Sequence, residues 1–177
     1  MNFTETKIGG VYVIDPERFE DARGFVAPAF SSREFEARGM DARIAETNIS
    51  YSLKAGTLRG LHFQAAPHGQ AKLVRCTRGS VYDVAVDIRP GSPTHRQWVG
   101  VELTAESRRM IYIPGDCAHG FLTLDKDTEV FYMVSSPYAP GSAGGFRWND
   151  PAFQIDWPDA GELTINERDR TYPDYTL

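Results

Sequence analysis

The stretch "AKLVRCTRGSVYDVAVDI" (71–88) decides the fold class of this chain. Its two mainly apolar runs, 71–76 and 80–88, are separated by the turn formers of "TRGS". Short apolar runs between turn-forming residues are typical of β-strands. The stretch therefore predicts two successive strands with a tight turn between them.

Similar runs continue outward on both sides of this stretch. They are "GVYVI" (10–14), "GFVAPAF" (24–30), "QWVGVEL" (97–103), "RMIYIP" (109–114), "HGFLTL" (119–124) and "EVFYMVS" (129–135). Many short strands at spacings of about 8–12 residues predict an all-β sandwich or barrel. The jelly roll is one such architecture, and this pattern does not choose between it and a sandwich.

Two helical segments are predicted, one near each end of the chain. In "FSSREFEARG", Ser31 and Glu34 have the spacing of a capping box, and Phe30 with Phe35 that of a hydrophobic staple. The polar C-terminal segment "LTINERDRTYPDY" (163–175) is expected to start with a short helical turn.

Length and composition indicate one globular domain, 1–177, since domains run roughly 100–200 residues. The net charge of −5 gives no basic surface for nucleic acid, so an anionic ligand needs a local cluster of Arg and Lys. The N-terminus lacks the features of a signal peptide, and no apolar run approaches the 18 or so residues of a membrane helix. A cytoplasmic protein without nucleic-acid or membrane partners is expected.

The cysteines and histidines do not predict a metal site. Cys76 and Cys117 are too few for a disulfide framework or a Cys-rich zinc site, and Cys76 lies in an apolar run typical of a buried free thiol. His62 and His68 are six positions apart, whereas a metal-binding cupin usually has two histidines separated by one residue. No metal and no cofactor are therefore expected.

The segment "LRGLHFQAAPHGQAKLV" (58–74) concentrates basic groups between apolar residues. By the two-residue period of a strand, His62 and Gln64 share one face and Arg59 the other. His62 has two interpretations: a core histidine with a backbone partner, or a functional group. Lys72 either extends its ammonium group to water or serves an anion or a developing oxyanion.

Several other polar residues have both a structural and a functional interpretation. His119 follows a Pro-Gly turn and either caps that turn or lines a rim. Tyr132 alternates with valines, which predicts a buried ring and a hydroxyl that finds a partner or acts as a general acid. Asp83 and Asp87 interrupt an apolar strand, and Asp169 lies in a charged tail segment, where a solvated face is the default expectation.

Long motifs across nearly the whole chain resemble the dTDP-4-dehydrorhamnose 3,5-epimerases, metal-independent enzymes with a cupin-type jelly roll. The motifs that carry the resemblance are "DARGFV" (21–26), "NISYS" (48–52), "LRGLHFQ" (58–64), "GQAKLVRCTRGSVYDVAVDIRPGSPT" (69–94), "WVGVEL" (98–103), "IPGDCAHGFLTL" (113–124), "FYMVSSPYAP" (131–140) and "WNDPAFQIDWP" (148–158). The resemblance implies a double-stranded β-helix fold and an epimerase of a nucleotide-linked 4-keto-6-deoxy sugar.

The resemblance also implies a role for each matching residue. His62 matches the catalytic base, Asp169 the carboxylate that orients it, Tyr132 the proton donor, and Lys72 the group that faces the sugar carbonyl. The positions that match binding of the nucleotide sugar are Arg23, Asn48, Arg59, His119, Tyr138 and Arg168. The family is dimeric with segments exchanged near the site, which allows Arg23 to serve the neighbouring subunit's pocket.

The implied chemistry requires these residue types. The C4 ketone acidifies the hydrogens on C3 and C5, so a base can remove one and leave an enolate. Histidine titrates near neutral pH and suits that step. A carboxylate partner fixes its tautomer, a lysine stabilises the enolate oxygen, and inversion needs a proton from the opposite face.

Three positions depart from the usual family pattern: Pro28 and Ala143 stand where a Glu is usual, and Glu46 where a Gln is usual. A different nucleotide base, a different sugar, or epimerisation at C3 or C5 only are therefore alternatives. A keto-sugar isomerase, a metal-dependent cupin enzyme and a non-catalytic sugar-nucleotide-binding module are the further alternatives.

Overall fold

A computed structural model describes residues 1–176 and consists mainly of β-strands. The strands are β1 (Asn2–Glu5), β2 (Tyr12–Asp15), β3 (Phe19–Asp21), β4 (Gly24–Val26), β5 (Glu46–Ser52), β6 (Leu58–Gln64), β7 (Lys72–Arg78), β8 (Ser80–Asp87), β9 (Trp98–Thr104), β10 (Met110–Ile113), β11 (Cys117–Thr123), β12 (Thr128–Val134) and β13 (Ala143–Gly145). The helices are α1 (Ser32–Glu36) and α2 (Glu167–Thr171). No helix of this described part is long and apolar enough to cross a bilayer.

The strands form two packed antiparallel sheets and a separate hairpin. One sheet has the order β1-β2-β10-β7-β12-β5 and the other β13-β6-β11-β8-β9, while β3 pairs only with β4. Neighbours within each sheet come from distant parts of the chain, as in a jelly roll. The predicted all-β, cupin-type jelly roll is confirmed.

The two strands of the stretch 71–88 lie in different sheets. Gly79 has a φ of +72°, a left-handed value that glycine adopts without steric cost, and the chain crosses there from β7 to β8. Val74 and Cys76 on β7 pack with Val81 and Ala85 on β8 in the core between the sheets. The turn therefore places two successive strands in the two sheets that enclose the core.

The predicted runs correspond to strands, with shifted ends, but several strands were not predicted. The run 24–30 ends as a strand at Val26, because Pro28 has no N–H to donate to a ladder. The strands β1, β3, β5, β6 and β13 lie outside the predicted runs, although the segment of β6 was treated as a strand in assigning its faces.

Both predicted helical segments are present and are shorter than the segments that suggested them. The Ser31 hydroxyl accepts a hydrogen bond from the Glu34 N–H at 3.4 Å, and the rings of Phe30 and Phe35 lie 4.9 Å apart between centroids. In the C-terminal segment, Asn166 caps α2.

The C-terminal segment covers the outer face of the five-stranded sheet. Leu61 and Val84 on that face pack against Phe153 and Tyr175 from beyond the last strand. This packing holds α2 against β6, so it determines which C-terminal side chains reach the cavity described next.

Candidate active site

A cavity of about 290 Å³ lies between the two sheets. Its walls come from β6 and β11 of the five-stranded sheet, β7 and β12 of the six-stranded sheet, and α2. Eight of the ten predicted site residues line it: Arg59, His62, Lys72, His119, Tyr132, Tyr138, Arg168 and Asp169.

A bulge in β6 gives the cavity two of its basic side chains. His62 lies opposite His119 and Arg59 opposite Phe121, so β6 has one more residue than β11 between these pairs. The extra residue is at Gly60, whose φ is +128° and where a Cβ would lie 2.5 Å from the Cα of Gly120. The prediction that Arg59 and His62 face opposite sides is therefore wrong, because a bulge shifts the alternation by one residue.

His62 and Asp169 form a hydrogen-bonded pair although 107 residues separate them in the chain. The His62 Nε2 lies 2.7 Å from one Asp169 oxygen, and the other oxygen accepts the Gly60 N–H at 3.0 Å. An ionised carboxylate only accepts hydrogen bonds, so Nε2 carries the hydrogen and Nδ1 is left as the basic nitrogen. His62 is thus an imidazole hydrogen-bonded to a carboxylate at the cavity and not a core histidine with a backbone partner.

Asp169 stays ionised although it is buried, because its hydrogen-bond partners stabilise the carboxylate. Its side chain is only 1% exposed, so the expected solvated face is wrong. Burial by itself raises the pKa of this carboxyl, but the bonds from His62 and Gly60 outweigh it, and the pKa is lowered.

His119 forms a second buried pair, with Asp83. The His119 Nε2 lies 2.9 Å from both Asp83 oxygens, and Asp83 has no exposed surface. Asp87 is also fully buried, where it accepts hydrogen bonds from Arg89, Ser92 and Thr94. Asp83 and Asp87 therefore interrupt the apolar strand without facing solvent, since hydrogen-bond partners within the fold replace water.

Asp83 was missed as a site-associated residue, although a sequence signal for it existed. It alternates with Val81 and Ala85, which lie in the core, so the period of two placed its carboxylate on the buried face. A carboxylate on that face requires a partner inside the fold, and His119 provides it.

Lys72 is a buried lysine and does not extend to solvent. Its ammonium group donates to the Gln70 carbonyl at 3.2 Å and borders the cavity. Burial lowers the pKa of Lys72 to about 8, and the negative charge of Asp83 opposes this shift. Below this pH Lys72 carries the positive charge that stabilisation of a developing anion requires.

Tyr132 packs against the core between the sheets but is only half-buried, so the predicted buried ring is confirmed in part. Burial raises the pKa of its hydroxyl, while Arg59 acts in the opposite direction and Glu46 adds to the increase. The phenol therefore keeps its proton at neutral pH and borders the cavity from the sheet opposite His62.

The remaining predicted residues lie away from the cavity wall. Arg23 is on the β3–β4 hairpin, 87% exposed and paired with Asp21. Asn48 lies on β5 beside Tyr132 in the strand register but does not line the cavity. Of the three departures from the family pattern, only Ala143 lines it.

The chain is similar to known proteins over nearly its whole length. The family model described as dTDP-4-dehydrorhamnose 3,5-epimerase matches residues 5–176. The chain is 42% identical to the dTDP-4-dehydrorhamnose 3,5-epimerase of Sinorhizobium fredii over 98% of this chain and 89% of that protein. It is 40% identical to the dTDP-4-dehydrorhamnose 3-epimerase of Streptomyces niveus, over 96% and 82% of the two chains.

Among solved structures, the chain resembles the dTDP-6-deoxy-D-glucose-3,5-epimerase of Legionella pneumophila Philadelphia 1, determined in complex with dTDP-4-keto-L-rhamnose. The TM-score is 0.89 at 37% identity, and the match covers 99% of each chain.

Proposed function

The chain belongs to the dTDP-4-dehydrorhamnose 3,5-epimerase family, and from this we propose that it converts dTDP-4-dehydro-6-deoxyglucose to dTDP-4-dehydrorhamnose by inverting C3 and C5. The observation that carries the proposal is the placement of a carboxylate-oriented histidine and a protonated tyrosine in one cavity, on different sheets. Inversion requires an acid and a base on opposite faces of the reacting carbon, and simple binding requires neither.

Each step of the proposed reaction has a residue. The His62 Nδ1 takes the proton from the carbon next to the ketone. The C–H electron pair forms the new C=C bond to C4, and the carbonyl π pair moves onto the C4 oxygen to give an enolate. The Lys72 ammonium group stabilises that oxygen where the negative charge develops. Tyr132 then gives its proton to the opposite face of the carbon, and the phenolate and imidazolium return to their resting forms by exchange with water.

Arginines at the cavity are suited to the diphosphate of the substrate. The Arg59 Nε is buried without a hydrogen-bond partner among the described residues, so it is a donor that lacks an acceptor. Arg168 borders the same cavity from α2. Guanidinium groups bind phosphate oxygens through two parallel hydrogen bonds, which supports a nucleotide diphosphate sugar as the ligand.

The test is deuterium uptake from D2O with dTDP-4-keto-6-deoxyglucose, followed at C3 and C5 by NMR. Exchange at both carbons is expected, with formation of the rhamno-configured ketone. Exchange at C3 alone would instead indicate a 3-epimerase, the activity for which the Streptomyces niveus relative is named. That relative is 40% identical to this chain, close to the 42% of the Sinorhizobium fredii 3,5-epimerase. Absence of exchange in the wild type would contradict the proposal and favour another nucleotide sugar.

A His62→Ala variant separates catalysis from binding. It is expected to lose exchange at both carbons and to keep its affinity for dTDP, because the imidazole is assigned to the sugar and not to the nucleotide. Exchange at the wild-type rate in this variant would remove His62 from the mechanism and leave a binding module or another cupin chemistry.

Lys72 gives a prediction for the dependence on pH. Its pKa of about 8 means that it carries its charge below this pH and loses it as the pH rises. Therefore kcat/KM, which reports the free enzyme, should fall as the pH rises through about 8. Lys72→Met should lower kcat/KM by about 10²–10³-fold and abolish this alkaline limb. An unchanged limb in that variant would assign it to another group.

We further propose that two copies of the chain form a dimer with a shared site. Ile49 and Tyr51 on the edge strand β5, and Leu53 directly after it, have exposures of 66%, 42% and 73%. Phe19 and Val26 on the β3–β4 hairpin are also exposed. Unpaired edges and large exposed apolar groups are usually covered in native proteins. A second copy covers both and places the exposed hairpin near another cavity.

Mixing two variants tests the shared site. Arg23→Ala and His62→Gln are each expected to show little activity, and unfolding and refolding them together should restore activity through mixed dimers. In a mixed dimer, one cavity has both an intact His62 and Arg23 from the other copy. A monomer in light scattering, or a mixture that stays inactive while mixed dimers form, would contradict the proposal.

The reduced thiols of Cys76 and Cys117 and the nucleotide-sugar substrate support a cytoplasmic setting.

A further inference from the structure

We propose that Tyr172 is a positioning residue for the base, and that its aromatic ring, not its hydroxyl, performs this role by packing against His62 and Arg168. Tyr172 follows α2 and does not line the cavity. The inference rests on the proposed function, since it assigns Tyr172 a part in the same reaction.

A glycine opposite the base makes room for this ring. Gly145 on β13 is the register partner of His62 on β6. A Cβ built at Gly145 would lie 2.4 Å from a ring carbon of Tyr172, so a side chain there would displace the ring. The missing side chain thus opens a slot beside His62, and Tyr172 fills it.

The ring fills this slot edge-on to the imidazole. The centroids of His62 and Tyr172 are 6.1 Å apart with an interplanar angle of 70°, a T-shaped arrangement that aromatic pairs favour. The His62 side chain is 42% exposed, and its bond to Asp169 fixes one ring atom only. The contact with Tyr172 restricts rotation about that bond and so aims Nδ1 at the substrate.

The same ring also contacts a substrate-binding arginine. The guanidinium carbon of Arg168 lies 5.6 Å from the centroid of Tyr172, within the range of a cation–π contact. Because Arg168 and Asp169 are neighbours on α2, Tyr172 links the group assigned to the diphosphate with the group that orients the base.

The hydroxyl of Tyr172, unlike its ring, is not required for the proposed role. Its oxygen is buried and has no hydrogen bond of normal geometry among the described residues. Burial raises its pKa, and the guanidinium group of Arg168 nearby opposes this increase. A buried hydroxyl without a partner contributes little or costs stability, so removing it while keeping the ring is tolerated. This distinction makes the proposal testable with two substitutions at one position.

Tyr172→Leu keeps the segment apolar but removes the flat edge of the ring. It is expected to lower kcat about 10- to 100-fold, since small misplacements of a catalytic group have effects of this size. KM should rise about two- to fivefold from the lost contact with Arg168. Tyr172→Phe should rescue both constants to within about twofold of the wild type. Tyr175→Phe, which removes only the hydroxyl bonded to His95 at 2.7 Å in the same segment, is the matched control.

Imidazole ¹⁵N spectra of His62 give a readout that does not depend on activity. The wild type and Tyr172→Phe should show the tautomer protonated at Nε2, and Tyr172→Leu a mixture of tautomers or broadened signals. Wild-type kinetics and an unchanged His62 spectrum in Tyr172→Leu would overturn the inference, and a raised KM in Tyr172→Phe would assign the role to the hydroxyl instead. If the wild type catalyses no exchange, the proposed function fails, while the spectra still decide whether Tyr172 positions His62.

Discussion

Replacement of Asp169 by Asn is expected to lower kcat by about 10²–10⁴-fold while the protein stays folded. The Asp169 carboxylate accepts the hydrogen of His62 Nε2 at 2.7 Å and so leaves Nδ1 free to act as the base. An Asn that turns its amide N–H to Nε2 makes that nitrogen the acceptor and moves the hydrogen to Nδ1, the nitrogen assigned to the substrate. The base is then present in the wrong tautomer.

The fold should survive because Asn keeps one of the two contacts of the carboxylate. Its side-chain oxygen can still accept the Gly60 N–H, a bond of 3.0 Å in the wild type. Deuterium uptake at C3 and C5 measures the loss, and Glu167→Gln, which removes an exposed charge from the same helix, serves as the control. Exchange by Asp169→Asn within a few-fold of the control would mean that His62 does not depend on this carboxylate.

The sequence predicted best those strands whose apolar face is buried in the core. In β8 the core residues alternate as the period of two requires, and the strand was located almost to the residue. In β5 the polar residues face inward and the apolar residues outward: Ser50 lines the cavity, while Ile49 and Tyr51 point outward. A strand that lines a polar cavity with its polar side has no apolar buried face, so hydrophobic alternation does not identify it.

The site was predictable in its residue types but not in its geometry. A glycine within a strand permits a bulge, but only the pairing of β6 with β11 shows that Gly60 forms one and turns Arg59 inward. The association of His62 with Asp169 spans 107 residues, and no local pattern contains such a distance. Asp169 was found through the family resemblance alone, and its local composition suggested a solvated charge.

Replacement of Tyr132 by Phe is expected to separate proton exchange from inversion. His62 remains able to remove the proton, and its imidazole is exposed enough to exchange that proton with the solvent before returning it to the same face. Deuterium should therefore enter the substrate with retained configuration. Formation of the inverted product should fall by about 10²–10⁴-fold, because the opposite face has lost its proton donor.

The separation is measured by NMR in D2O, where incorporation and configuration at C3 and C5 are read from the same spectra. Tyr82→Phe is a suitable control, since Tyr82 packs against Trp157 on the outer face of the five-stranded sheet. Loss of exchange together with loss of inversion would show that Tyr132 is required before or during proton removal. Inversion at the control rate would show that another group protonates the opposite face. Only retained exchange without inversion fits a base and an acid that act from different sheets.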